Sequence, residues 1–461
     1  MALGKRKETQ KSIWVTTSSL PKSPGHPFYR KLNGLLKGID FDRKVEAICT
    51  PYYAQIGRPS IPPGVYFRML VIGYFEGLDS QRAIAWRCKD SLSVREFLGL
   101  ALDQEGPDHS SLTLIRQRLP LQVHQEVFGL ILSLARKHHL LDGKSVGVDS
   151  TMIEANAAMK SIVRREGGDD WKAYVKELAT ESGIKDPSAE DARRIDRARS
   201  DKKVSNADWE SPSDPDSRIA RMKDGRTRLA YKPEHVIDLK TDLVLAAEVY
   251  RADQSDADTM IDSLVEAQVN LMRSGSDAKL RDVAADKGYH KAQTLAECSE
   301  ILNARTYVPE RRSRHKRRWK GKPDGWMQAT LSNRRRVRGN KSKLLQRLRS
   351  EKTERSFAHS CNRGRLRRTW IRGLDEVGKR WLIAAAARNL GRVMALLFGV
   401  GSARALMGLA LRQLSRRIAA WWSAAFSFVL GFCDMLRQRL KSDPSQVRPS
   451  RGESTPCSTD C

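Results

Sequence analysis

The sequence predicts an α/β protein: a mixed sheet with flanking helices, preceded by an all-α N-terminal domain. Three observations predict it. Apolar positions recur at helical spacing over 62–139. Short β-branched and apolar runs follow at 145–153, 235–239, 243–250, 280–285 and 306–308, and helical periodicity returns between the later runs, over 259–272 and 292–302.

A chain of 461 residues with 40% hydrophobic content is long enough for two or three domains with cores of their own, which excludes a purely disordered scaffold. Its 83 Lys and Arg against 54 Asp and Glu leave a formal charge of +29. An excess of that size favours a polyanionic partner through counterion release, and nucleic acid is the leading candidate. The seven cysteines are scattered, without a CxxC pair or a Cys/His group at zinc spacing, and fit a reducing cytoplasm. The polar, basic start MALGKRKETQKS has no apolar signal core, so secretion is not indicated. The apolar stretches 393–411, interrupted by Arg404, and 418–433, short for a span, read as packed helices and not as membrane crossings.

In the helical region, Pro62 and Pro63 open a first turn carrying Val65, Met69, Ile72 and Phe75, and Gly77 breaks it. Ser80 caps a second helix with Arg82 and Arg87, and a third starts near Ser110, with Leu112, Ile115 and Leu119 inward and Arg116 and Arg118 outward. A longer helix covers 121–139. Short helices with basic outer faces suit a helix-turn-helix-like DNA reader or, equally, a plain bundle with solvated arginines.

The stretch 145–153 reads as a strand containing Asp149. Next comes a charged insertion over 157–230, then a hairpin of 235–239 and 243–250 turning at Lys240-Thr241-Asp242. A strand over 280–285 runs straight into Asp286. The resulting order, strand, excursion, strand, strand, helix, strand, helix, strand, helix, matches a mixed sheet of ribonuclease-H type. The expected organisation is therefore an N-terminal extension (1–50), a helical DNA-binding domain (51–142), an α/β catalytic domain (143–400) with insertion 157–230 and basic segment 311–349, C-terminal helices (401–440) and a disordered tail (441–461). The basic segment contains Arg334, Arg335 and Arg336 and either touches phosphates or stays disordered alone; Trp319 and Trp326 within it stack on bases or pack.

Three carboxylates stand out. Asp149 lies in an apolar strand, where an unpaired charge is costly; Asp286 sits at the carboxyl end of another strand, where open α/β sheets place their sites; Glu354 lies on a predicted helix. Taken alone, each reads more readily as structural: Asp149 as a capped strand residue, Asp286 as a helix cap before Tyr289, Glu354 as a salt-bridge partner of Arg355 or Lys352. Their order raises a metal-binding set, because phosphodiester cleavage and joining call for divalent ions held by hard anionic oxygens.

The stretches GVDSTMIEANA (147–157), SDPDSRIARMKDGRTRLAYKPEHVIDLKT (213–241), AADKGYH (284–290) and the segment from Glu354 to Val393 resemble those of DDE insertion-sequence transposases, specifically the branch numbered eleven eighty-two. RPSIPPGVYFRMLVIGYFEGLDSQRAIAWRC (58–88) and PDHSSLTLIRQRL (107–119) resemble the helical domain that precedes the core there. The resemblance implies a ribonuclease-H-like core and a triad of Asp149, Asp286 and Glu354 using Mg²⁺, with Mn²⁺ as a substitute. It implies binding to the element's terminal inverted repeats and to target double-stranded DNA, cleavage at the element ends, and transfer of the 3′ hydroxyls. Pairing of two ends calls for a homodimer or larger, in the bacterial cytoplasm and without a membrane. Lys223, Asp224 and Gly225 match a further family motif; Arg355, His359, Arg367 and Arg368 stand near the glutamate as phosphate contacts or as solvated charges. Arg363 and Arg365 depart from the pattern around Gly364, and Arg347, Ser350 and Cys361 stand where related enzymes place a Tyr/Arg/Lys escort. The alternative from another class is a catalytically decayed, sequence-specific DNA-binding protein.

Overall fold

The computed structural model describes residues 25–57, 59–101, 103–165, 171–184, 187–198, 205–311 and 318–403, with a few positions beyond. Seven helices open the chain: α1 (Pro27–Lys37), α2 (Phe41–Cys49), α3 (Pro63–Glu76), α4 (Gln81–Asp90), α5 (Leu92–Leu98), α6 (His109–Arg118) and α7 (Leu121–Lys137). Their ends obey local chemistry. Gly77 stops α3 at φ 69°, the Ser80 side chain accepts the Ala83 N–H at the start of α4, and Asp108, two residues before the expected start, caps α6. Residues 27–49, expected within an extension, are instead part of this core: α1 buries Phe28, Leu32 and Leu36, and α2 buries Phe41 and Val45. The buried Arg68 of α3 ties them in, making two 2.8 Å bonds to Asp42 and others to Asn33 and the Phe97 carbonyl.

The sheet region follows as β1 (Ser145–Ser150), β2 (Ile153–Glu154), β3 (Val163–Arg164), α8 (Trp171–Glu181), α9 (Ala189–Ala198), β4 (Trp209–Glu210), β5 (Arg218–Arg221), β6 (Thr227–Asp238), β7 (Val244–Arg251), α10 (Asp256–Arg273), β8 (Asp282–Ala284), α11 (Ala292–Leu302), β9 (Arg305–Tyr307), α12 (Asp324–Val337), α13 (Asn340–Ala358) and α14 (Leu374–Phe398). β6 is antiparallel to β1 on one side and to β7 on the other, while β1, β8 and β9 run parallel in that order. Tyr231 faces both Ile153 and Arg251, so β2 extends the β1 side. β3 and β4 form a separate two-stranded sheet within the excursion.

Three expectations are corrected. The insertion ends before β5, because β5 and the twelve-residue β6 begin inside 157–230. The part of β6 before His235 escapes the sequence reading because Lys232, Pro233 and Glu234 have a polar or strand-breaking character, which masks a strand in which all three are buried. The basic segment is ordered over 324–349 as α12 and the start of α13, while its run 312–317 lies outside the described residues. The stretch expected as one helix over 393–411 is divided by Gly399 at φ 72°, which ends α14. By length and composition α14 could cross a membrane, but most of it is buried within the protein. The expected helices over 401–440 and tail over 441–461 lie almost wholly outside the described residues.

Candidate active site

Strand alternation sets the site. On β1, Val146 and Val148 are fully buried, while Gly147 and Asp149 turn to the face covered by α13. A Cβ on Gly147 would stand 2.9 Å from Leu239 and 3.0 Å from the Arg349 side chain, so the glycine lets α13 lie close over β1. From there Arg349 Nη1 donates to Asp149 Oδ2 at 2.8 Å, and Thr353 Oγ1 donates to the same oxygen at 3.0 Å; the Ser150 N–H reaches Oδ1 at 3.0 Å. Burial raises the Asp149 carboxyl above its ordinary range; the Arg349 guanidinium and these hydrogen bonds oppose that shift, and the negative charge of Asp286 adds to it.

Asp286 is beside Asp149 because β1 and β8 are parallel with Gly147 opposite Ala284, so two residues further along each strand stand the two acids. The side chain of Asp286 caps the short turn Lys287–Tyr289, accepting the Gly288 N–H at 2.6 Å. A Cβ on Gly288 would lie 2.8 Å from Asp286 Oδ1 and 2.9 Å from Asp256 Oδ2. Asp256 is thus a further acid at this edge, and it accepts the Ser150 hydroxyl at 2.8 Å. It escaped the sequence reading because α10 was expected from 259. The Ser255-Asp256 start, with acids in the first turn, was the available signal.

Glu354 is exposed on α13, accepts the Ser350 hydroxyl at 3.2 Å, and shares one open cleft with Asp149. Neither Arg355 nor Lys352 pairs with it. Arg355 bonds Asp242 and Glu351, and Lys352 bonds the Leu239 and Lys240 carbonyls. Opposite stands the β5–β6 turn, where Gly225 at φ 80° lets Lys223 and Asp224 reach the cleft. Asp286 is not among the cleft's lining residues. Among the described residues, no three acids, histidines or cysteines stand close enough to hold a metal as arranged.

Beneath α13, His235 fixes the helix to the sheet. Its Nε2 accepts from Trp381 Nε1 at 2.8 Å, so Nδ1 carries the proton and donates to Ser356 Oγ at 2.7 Å, and its ring stacks on Phe357 at 4.5 Å. Burial lowers its pKa to about 3 and keeps it neutral. The helix ends in a wide turn, His359–Arg363. There Gly364 leaves room that a Cβ would lose to the Ser360 carbonyl at 2.6 Å, and Arg365 takes up a left-handed φ of 51°. Half-buried His359 is lowered to about 4, first by burial and then by Arg363.

The arginines expected at DNA divide into two groups. Arg116 does not point outward: α14 packs over that face of α6, and Glu376 takes the guanidinium, which is 13% exposed. Arg87 bonds Glu76, Arg334 makes two bonds to Glu310 at 2.9 and 3.0 Å, and Arg336 bonds the Thr306 carbonyl at 2.9 Å. Arg82, Arg118, Arg335, Arg367 and Arg368 are exposed, Arg118 over the Tyr53 ring and Arg367 at the cleft. Lys322 lies over the half-buried Trp319 at 6.0 Å, and Trp326 is half-buried.

Two family matches cover most of the described chain. Residues 19–118 match a family described as Transposase domain (DUF772), and residues 191–390 match one described as Transposase DDE domain. These matches support a DDE-type transposase. The second spans Asp286 and Glu354 but begins after Asp149. Transposase domains imply DNA substrates, and the DDE family generally uses divalent metals. No curated protein and no solved structure matches the chain.

Proposed function

We propose that this transposase cleaves phosphodiester bonds at the ends of an insertion sequence of the branch numbered eleven eighty-two and joins the freed 3′ hydroxyls to target DNA. Asp149, Asp286 and Glu354 are the metal-holding triad of that reading. One observation carries it: acids from β1, from the end of β8 and from α13 arrive at one end of the parallel strand pair, two of them in one cleft. The strand path β7-β6-β1-β8-β9, with antiparallel neighbours first and parallel ones after, supports a ribonuclease-H-like core.

The donor set fits a hard cation. All three are carboxylates, and the Asp149 carboxyl, raised chiefly by burial and to a smaller extent by the charge of Asp286, is one that a bound cation would hold ionised. Mg²⁺ or Mn²⁺, when bound, supplies activation of the attacking oxygen and neutralisation of the leaving one. The chain's own part is positional. Arg349 and Thr353 orient Asp149, the turn after β8 orients Asp286, and His235 steadies α13 beneath Glu354. Arg82, Arg118, Arg335, Arg367 and Arg368 take DNA phosphates at the terminal inverted repeats and target, with two ends paired in a homodimer or larger assembly.

The experiment is cleavage of duplexes carrying the element's ends by the full chain with Mg²⁺ or Mn²⁺. Asp149→Ala, Asp286→Ala and Glu354→Gln are each expected to lose about 10³-fold or more of the rate while still shifting the duplex in a gel. Undiminished cleavage by Asp286→Ala would remove the triad.

A further inference from the structure

A second site lies away from the cleft, in a cavity of about 70 Å³ between α3, α6 and α7 on one side and α14 with the segment 364–371 on the other. Its walls are mostly apolar, with Ile84, Leu366 and Ile383 among them. Its polar lining is unusual. Tyr66 Oη, Tyr74 Oη, Arg116 Nη1, His124 Nε2, Trp370 Nε1 and Arg380 Nη1 are all buried without a hydrogen-bond partner among the described residues, and all six side chains line this one cavity. Buried polar groups are normally paired, so orphans gathered around one space point to a polar occupant.

Charge selects the occupant. Arg116, Lys379 and Arg380 meet here, Glu376 is shared by the first two, and both guanidinium groups lie over the Trp370 ring, at 5.7 and 4.7 Å. Burial is the main cause lowering the Arg380 pKa, to about 10, with Asp79 opposing and Arg116 adding to the fall. Hydrogen bonding refines the choice. His124 Nδ1 is engaged with the Pro120 carbonyl at 3.1 Å, so Nε2 is left as an acceptor, while the tyrosine, arginine and tryptophan groups can all donate. A cavity needs roughly 10–15 Å³ to hold one water, so this one takes a small cluster of waters or one small anion, and not a nucleotide.

We propose that this cavity binds a small oxyanion bearing an O–H, of the hydrogen phosphate class. It neutralises the clustered cations and clamps the helical region to α14. The clamped segment also borders the cleft, because Gly364 and Leu366 line the cavity while Cys361 and Arg367 line the cleft. The site is independent of the metal-binding acids, and its test needs neither cleavage nor a metal.

The test is calorimetric titration and thermal melting of the full chain with inorganic phosphate, sulfate or chloride at matched ionic strength. Phosphate is expected to saturate one site and, at a hundredfold excess over Kd, to raise the melting temperature by roughly 3 °C. Sulfate, lacking the O–H at neutral pH, is expected to bind about tenfold more weakly. Tyr66→Phe and Trp370→Phe each delete one donor and keep an aromatic ring. Both are expected to bind phosphate about tenfold more weakly, and Tyr66→Phe, which loses only an unpaired hydroxyl, is expected to melt no lower than the parent without phosphate. Absence of a saturable phosphate signal, or unchanged affinity in both variants, overturns the proposal. Displacement of phosphate by duplex DNA also overturns it, by assigning the anion to a nucleic-acid backbone.

Discussion

The two faces of the sheet at the end of β1 both carry acids, in opposite settings. On the α13 face, Asp149 keeps a quarter of its side chain exposed and Glu354 stands in the open, with Arg349 as the cation at hand. On the α10 face, Glu234 is wholly buried, and its Oε2 accepts from Thr259 Oγ1 at 3.0 Å and Tyr289 Oη at 2.8 Å. Burial raises the Glu234 carboxyl to about 7, while these hydrogen bonds and Lys232 oppose the shift. Lys232, equally buried, bonds the Gln254 carbonyl at 2.8 Å and Thr259 at 3.0 Å and pairs with Asp256. Glu234 Oε1 has no hydrogen-bond partner among the described residues, but the carboxyl is sealed from solvent and held through Oε2 by internal donors, which marks it as structural; an acid facing solvent beside another acid is available to a ligand. The inner set still serves the outer one, since Tyr289 closes the turn that Asp286 caps.

The sharpest separation of the two faces is catalytic. Glu354→Gln is expected to lose about 10³-fold or more of strand cleavage with less than about 1 kcal/mol of stability, whereas Glu234→Gln should cost no more than about tenfold in rate. Equal losses from both would merge the two sets. Stability gives the reverse order: Glu234→Ala removes the acceptor of the buried Tyr289 hydroxyl and leaves a cavity in the core, and is expected to cost about 3–4 kcal/mol in urea unfolding.

The pH dependence of the inner face has a definite sign. Glu234 holds its proton up to about 7 when folded, against an ordinary value of 4.5. Its contribution is therefore fully present below about 4.5 and is lost as pH rises through about 7, by roughly 3 kcal/mol. Comparing wild type with Glu234→Gln between pH 4.5 and 7.5 isolates it from His124 and His235, whose lowered pKa values act in the opposite direction below pH 6.5. The smallest effect belongs to the surface: Arg334→Ala removes a half-exposed pair with Glu310 and should change stability by no more than about 1 kcal/mol.

Much of the frame was legible in the residues. Period-2 runs marked β1, β7, β8 and β9 to within a few positions, and α11 begins and ends where its apolar spacing predicts. The readings that failed share a cause. The part of β6 before His235 carries the buried polar side chains Lys232 and Glu234, bonded by partners further along the chain, and no local pattern reveals a Glu234 whose partner is Tyr289. Arg116 looked outward on its own helix, and only α14, some 260 residues later, buries it. At the proposed site, Asp149, Asp286 and Glu354 stand out in the sequence as candidates by residue type and order. The Arg349 contact, the His235 anchor and Asp256 could not, because each depends on how α13, α14 and α10 cross the sheet.

The central claim is that acids on the α13 face hold a divalent cation that the buried acids do not. Titration of the full chain with Mn²⁺, read by electron paramagnetic resonance, tests it directly. Binding should weaken at least tenfold in Asp149→Asn, Asp286→Asn and Glu354→Gln and stay within about twofold in Glu234→Gln. Mn²⁺ bound with unchanged affinity by all three outer variants would contradict the account.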